Sequence, residues 1–138
     1  MLEAKLIVNK QDRQRLLDAI GAARRSWITY APALDWLARQ LKQARECEPA
    51  DVPRDVVTMN SRVEIKDLRT GQPEQVTLVY PGEEGEGTRQ VSVFSPIGLA
   101  LLGAKVGDVV GWSEPERSRA AWLGKLCYQP ESAGDFHL

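Results

Sequence analysis

The period of the apolar residues changes once along this 138-residue chain, at Glu48-Pro49-Ala50-Asp51-Val52-Pro53, and that change admits few architectures. Before this segment apolar side chains recur at helical spacing; after it they follow strand-like patterns. Pro49 and Pro53 stop a helix and hold the chain extended, so the segment reads as a linker. The expectation is a helical unit and linker over residues 1–53, followed by an α+β domain over residues 54–138.

The helical unit reads as an antiparallel hairpin over residues 10–47. Asn9 is placed to cap a first helix, with Asp12 near its positive end. Leu16, Leu17, Ile20 and Ala23 follow at helical spacing. The pattern breaks at Arg24-Arg25-Ser26-Trp27-Ile28-Thr29-Tyr30, and Pro32 suits the first turn of a second helix. Leu34, Leu37, Leu41 and Ala44 then trace a coiled-coil seam. Two such stripes on a short connection pack antiparallel, as a short coiled coil. The pair either lies against the rest of the chain or projects from it; polar outer faces favour a projecting arm.

Past the linker, Val56 to Met59 and Arg62 to Lys66 read as one extended strand with an irregularity at Asn60-Ser61. Thr70-Gly71-Gln72-Pro73 is a turn. Strands follow at Val76–Tyr80 and Gln90–Phe94, separated by the acidic loop Gly82-Glu83-Glu84-Gly85-Glu86-Gly87. Ser95 and Pro96 open a short helix from Ile97 to Leu102, which Gly103 ends. Two more strands run to Trp112 and from Ala120 to Tyr128. The prediction is a mostly antiparallel sheet with one helix across it.

Composition removes several function classes. With 43% hydrophobic and 27% charged residues the chain reads as soluble and globular. No stretch approaches the roughly 18 apolar residues that span a bilayer. The start, MLEAKLIVNK, lacks the marks of a secretory signal, so the cytoplasm is the expected location and no membrane is engaged. Cys47 and Cys127 are isolated, and the single histidine is His137, so neither a disulfide framework, a metal site nor a cofactor is expected. Residues 1–53 carry nine Lys and Arg against seven Asp and Glu, and residues 54–138 nine against twelve. Neither half has the basic stripe of a protein held by phosphates, so direct binding of nucleic acid is disfavoured.

Few residues suggest chemistry. Glu83, Glu84 and Glu86 lack calcium-loop spacing and read as a solvated turn. Gly85 and Gly87 make no phosphate cradle beside those acids. Asp135 and His137 have no evident nucleophile. Trp112 and Trp122 lie in strand patterns and read as core, whereas Trp27 and Trp36, at or near the hairpin tip, read equally as core or contact surface. The expectation is a non-enzymatic protein.

Three motifs carry a resemblance: Ser95-Pro96-Ile97, then Gly98-Leu99-Ala100-Leu101-Leu102-Gly103, then Val106-Gly107-Asp108. In this order they resemble the C-terminal domain of the GreA/GreB transcription elongation factor family. Three further stretches, Asp55–Val63, Thr77–Pro81 and Tyr128–Asp135, bring the match closer to the Rnk group, regulators of nucleoside diphosphate kinase. The resemblance covers most of residues 55–135; residues 1–53 match only in layout. It implies an FKBP-like C-terminal domain and binding to bacterial RNA polymerase at its secondary channel, with DNA reached only through the polymerase.

In Gre factors an Asp and a Glu three residues later, at the arm tip, help hold a catalytic magnesium in the polymerase. This chain departs from that pattern. Arg24 to Tyr30 holds no acid, the nearest carboxylate is Asp35, and Ala38 stands three residues after it. The resemblance therefore implies a factor that does not stimulate transcript cleavage. The Gre segment that contacts the channel rim matches Phe94-Ser95-Pro96-Ile97, where Phe94 replaces an acid found in many Gre factors. These four residues are the expected main polymerase contact, with Arg24, Arg25 and Trp27 adding contacts at the tip. The alternative is that Ser95 only caps the helix and Phe94 is core. Two other functions stay open: regulation of a metabolic kinase by protein contact, and a peptidyl-prolyl isomerase-like domain.

Overall fold

The computed structural model describes residues 5–25, 31–85 and 89–138. The chain is mixed α+β, with a helical N-terminal part and a curled sheet. Strand β1 (Ile7–Asn9) leads into helix α1 (Lys10–Arg24). Asn9 leaves the strand in an extended conformation and its side chain accepts the Asp12 amide, which starts the helix. Helix α2 (Ala31–Lys42) follows, and β2 (Arg45–Cys47) pairs parallel to β1, Ile7 opposite Arg45. These three-residue strands close the base of the hairpin, where the sequence showed only a helix end. The linker makes one 3₁₀ turn, Pro49–Asp51, instead of running fully extended.

The main sheet has five strands in the order β5-β4-β3-β7-β6. They are β3 (Arg62–Asp67), β4 (Pro73–Val79), β5 (Gln90–Ser92), β6 (Val109–Ser113) and β7 (Ser118–Tyr128). Helix α3 (Pro96–Leu101) lies between β5 and β6, and a short α4 (Pro130–Ala133) follows β7. The sheet is mixed, not purely antiparallel: β5 runs parallel to β4, with Thr77 opposite Gln90. The connection after Val79 is too long for a two-residue hairpin turn, so the chain returns to enter beside β4 in the same direction. Two register shifts between β3 and β7 bend the pair and curl the sheet.

The strand expected from Val56 starts instead at Arg62. Val56 makes one bridge, to Lys105, and Asn60 takes a left-handed φ of 67°. That conformation turns the chain, and the Thr58 amide donates to Ser61 Oγ at 3.0 Å.

One apolar core joins both parts. Leu16 and Ile20 of α1 and Leu34, Leu37 and Leu41 of α2 are buried in the same cluster as Val57, Met59, Tyr80, Leu101 and the sheet residues Ile65 and Leu123. The hairpin stripe thus lies against the rest of the chain. Of the tryptophans read as core, Trp112 is buried, but Trp122 is 44% exposed. Ala121 and Leu123 take the inward positions of β7, so alternation sends Trp122 outward, where its ring lies against Gly124.

Candidate functional site

The turn into α3 is built tightly. Ser95 caps the helix by accepting the Gly98 amide at 3.1 Å, and its hydroxyl donates to the Ser92 carbonyl at 2.6 Å. The Phe94 amide donates to Ser92 Oγ at 3.1 Å. A β-carbon on Gly98 would stand 2.0 Å from the Ser92 carbonyl oxygen, so only glycine lets α3 press this closely on the end of β5. Neighbouring backbone groups thus hold the segment on several sides.

Its four side chains divide by exposure. Pro96 is exposed, and Phe94 and Ser95 are half-buried. Ile97 is only 6% exposed and sits in the core, so it anchors the turn from beneath and offers little surface. Phe94 forms one wall of an open cleft of about 330 Å³, with Tyr80 and Pro81 beside it and Ala19, Ala22 and Ala23 of α1 opposite. The small alanines leave space for an apolar group at this junction.

Beyond this cleft α1 runs on to the end of the hairpin. Arg24, one residue beyond Ala23, donates from Nη2 to Asp35 Oδ1 at 2.8 Å and joins α1 to α2. Arg25 is exposed and closes the helix through its amide, which bonds the Ala22 carbonyl at 3.2 Å. Trp27 lies outside the described residues. The fold therefore brings Phe94 beside the C-terminal half of α1, which ends in two arginines.

A buried polar network ties the hairpin to the C-terminal part, and little in the sequence signals it. Glu131, on α4, accepts from Asn9 Nδ2 at 2.7 Å through Oε2 and from Thr58 Oγ1 at 2.7 Å through Oε1. Tyr80 donates its hydroxyl to Asp12 Oδ1 at 3.0 Å. Asp12 is 1% exposed, and its Oδ2 has no hydrogen-bond partner among the described residues. Burial raises its carboxyl to about 7; the Tyr80 hydroxyl opposes the shift and the Glu131 charge adds to it. The same burial, with Asp12 beside it, pushes the Tyr80 hydroxyl upward. Gln129 Nε2 donates to the carbonyls of Pro53 and Val56, fastening the linker to the start of α4. The available signal was the Asn9-x-x-Asp12 cap and the polar run Gln129-Pro130-Glu131, but their partners lie 122 and 68 residues away.

Asp67 and Arg119 form a second polar cluster at the opposite end of β3. Backbone amides of Thr70 and Arg69 and the Arg119 guanidinium hold the Asp67 carboxyl down at about 2. Arg119 also stacks on the Trp112 ring, 5.1 Å from its centroid. This arrangement closes the β3–β4 turn. Glu83 and Glu84 are exposed; Glu86 lies outside the described residues.

Comparison with known proteins places these features in context. A family model described as "Transcription elongation factor, GreA/GreB, C-term" matches residues 52–122. The chain is 37% identical, over the full length of both, to the Escherichia coli (strain K12) protein named "Regulator of nucleoside diphosphate kinase". It is also 37% identical over 79 residues to transcription elongation factor GreA of Syntrophomonas wolfei, covering 57% of this chain and 50% of that one. A solved structure titled "Prokaryotic transcription elongation factor GreA/GreB from Nitrosomonas europaea" superposes with a TM-score of 0.78 at 28% identity. That match covers 90% of this chain and 100% of the other.

Proposed function

From the chain's membership of the GreA/GreB family of transcription elongation factors, we propose that it is a bacterial RNA polymerase-binding regulator that acts at the secondary channel without stimulating transcript cleavage. One observation carries this reading: a Ser95-capped turn presents Phe94 at the α1 cleft and leaves Pro96 exposed, in the segment that matches the Gre rim contact. Phe94, Ser95 and Pro96 form the main contact, with Ile97 supporting them from the core. Arg24, Arg25 and Trp27 add contacts at the arm end. Such a protein works in the cytoplasm, where the polymerase is, and meets DNA only through the polymerase. An FKBP-like C-terminal domain over residues 54–138 and a short coiled-coil arm with its linker over residues 1–53 belong to the same reading.

Co-purification of the full chain with polymerase, competed by GreA, tests the partner. Pro96→Ala tests the rim contact, because an exposed proline at the first helical position adds little stability. The variant should keep its urea midpoint and lose more than threefold in polymerase affinity, about 0.7 kcal/mol. Affinity unchanged within that margin moves the contact elsewhere.

A second reading follows from the name of the full-length relative, regulation of a kinase by direct contact. Capture of a nucleoside diphosphate kinase with no polymerase in the same experiment would favour it. An isomerase-like activity rests on fold analogy alone and is the weaker alternative.

A further inference from the structure

Where β1, α2 and the end of α3 meet, the protein holds a second cavity, of about 340 Å³, that the polymerase reading leaves unused. One wall is apolar, formed by Ile7, Leu99 and Leu102. The other carries Trp36, 41% exposed although its neighbours Leu34 and Leu37 are buried. The leucines fill the inward positions of α2, so the indole is left beside the cavity with an accessible face. An accessible indole is a platform on which a flat ring can stack.

The polar lining has a definite charge. Lys5 and Lys105 come from distant parts of the chain and both line this space. Among the described residues neither has a carboxylate at ion-pair distance. Asp108 is the one acid of the lining, and its Oδ2 already accepts the Lys105 amide at 2.9 Å to hold the Val106-Gly107 turn. Two ammonium groups against one engaged carboxylate favour an anion. Gln40 adds an amide able to donate and accept at a ring edge. The volume lies at the lower end of the roughly 300–1,000 Å³ of small-molecule sites, enough for a mononucleotide and too small for an oligonucleotide.

We propose that this cavity binds a nucleotide, its base stacked on Trp36 and its phosphates held by Lys5 and Lys105. The site lies apart from the Phe94 turn, and its test needs no polymerase. Titration of the full chain with ADP and with GDP, followed by calorimetry and tryptophan fluorescence, should give a Kd at or below about 100 μM for at least one of them. Adenosine, guanosine and inorganic pyrophosphate should each bind at least about tenfold more weakly, since each lacks half of the recognition. Trp36→Ala and Lys105→Ala should each weaken binding about tenfold or more, whereas Trp122→Ala, on the outer face of the sheet, should leave it unchanged. Lys105 is exposed, so that variant keeps the test valid even if Trp36→Ala folds poorly. No binding by either diphosphate at about 1 mM, or binding that survives Lys105→Ala, overturns the proposal.

Discussion

Asp12 shows how one side chain couples folding to pH. Its carboxyl titrates at 3.8 when solvated and at about 7 in the fold. Because the folded state holds the proton more tightly, the stability from this group is complete below pH 4 and is lost as pH rises through 7. The loss across that window is on the order of a few kcal/mol at most. Asp12→Asn removes the titration, so urea midpoints of the variant should change less between pH 5 and pH 8 than those of the parent chain. Equal slopes in the two proteins would place the buried proton on another group. Gly98 is a steric case. A β-carbon there meets the Ser92 carbonyl oxygen at 2.0 Å, and backbone moves at greater cost than a side-chain tip. Gly98→Ala should therefore destabilise the protein by about 1–3 kcal/mol, the usual range for overpacking, as read by chemical denaturation.

At the scale of elements, the hairpin is fastened by α4, a helix of only four residues. Glu131 accepts donors from both sides of the junction, Asn9 at the start of α1 and Thr58 ahead of β3. Glu131→Ala leaves the buried Asn9 amide unpaired, while the Thr58 hydroxyl can still turn to Ser61 Oγ, 3.0 Å away. It should cost about 1–3 kcal/mol, and Glu131→Gln, which keeps one acceptor oxygen, should cost less. Equal midpoints for the two variants would show that the helix, and not this carboxylate, makes the tie. None of this was legible beforehand, because nothing local marks which buried polar groups will meet across the fold. Caps were legible for the opposite reason. Asn9 with Asp12, and Ser95 with Gly98, are three residues apart and satisfy each other within one turn. The parallel β1–β2 pair could not be read, since three-residue strands carry too little alternation. Trp122 was misplaced because Ala121-Trp122-Leu123 is apolar throughout, which hides the phase of the strand.

For the whole molecule, the shared core decides how the hairpin behaves. Leu16, Ile20, Leu34 and Leu37 pack in one cluster with sheet residues, so the hairpin and the sheet should unfold in a single transition. Far-UV circular dichroism and tryptophan fluorescence should report coincident urea midpoints; separated midpoints would make the hairpin an independent unit. The same packing limits reach. The described part of α1 runs only four residues past its last buried position, Ile20, about 6 Å at 1.5 Å per residue. Near that end Asp35 is bonded to Arg24, and position 38, three residues on, is alanine. Holding a magnesium ion on a partner requires oxygen ligands free to face it. A single carboxylate engaged by a guanidinium does not supply them. Purified protein added to backtracked elongation complexes should therefore leave the RNA 3′ end intact at any magnesium concentration that supports GreA. Shortening that is magnesium-dependent and disappears in Asp35→Ala would show that this carboxylate leaves Arg24 on binding and does the work of the missing pair.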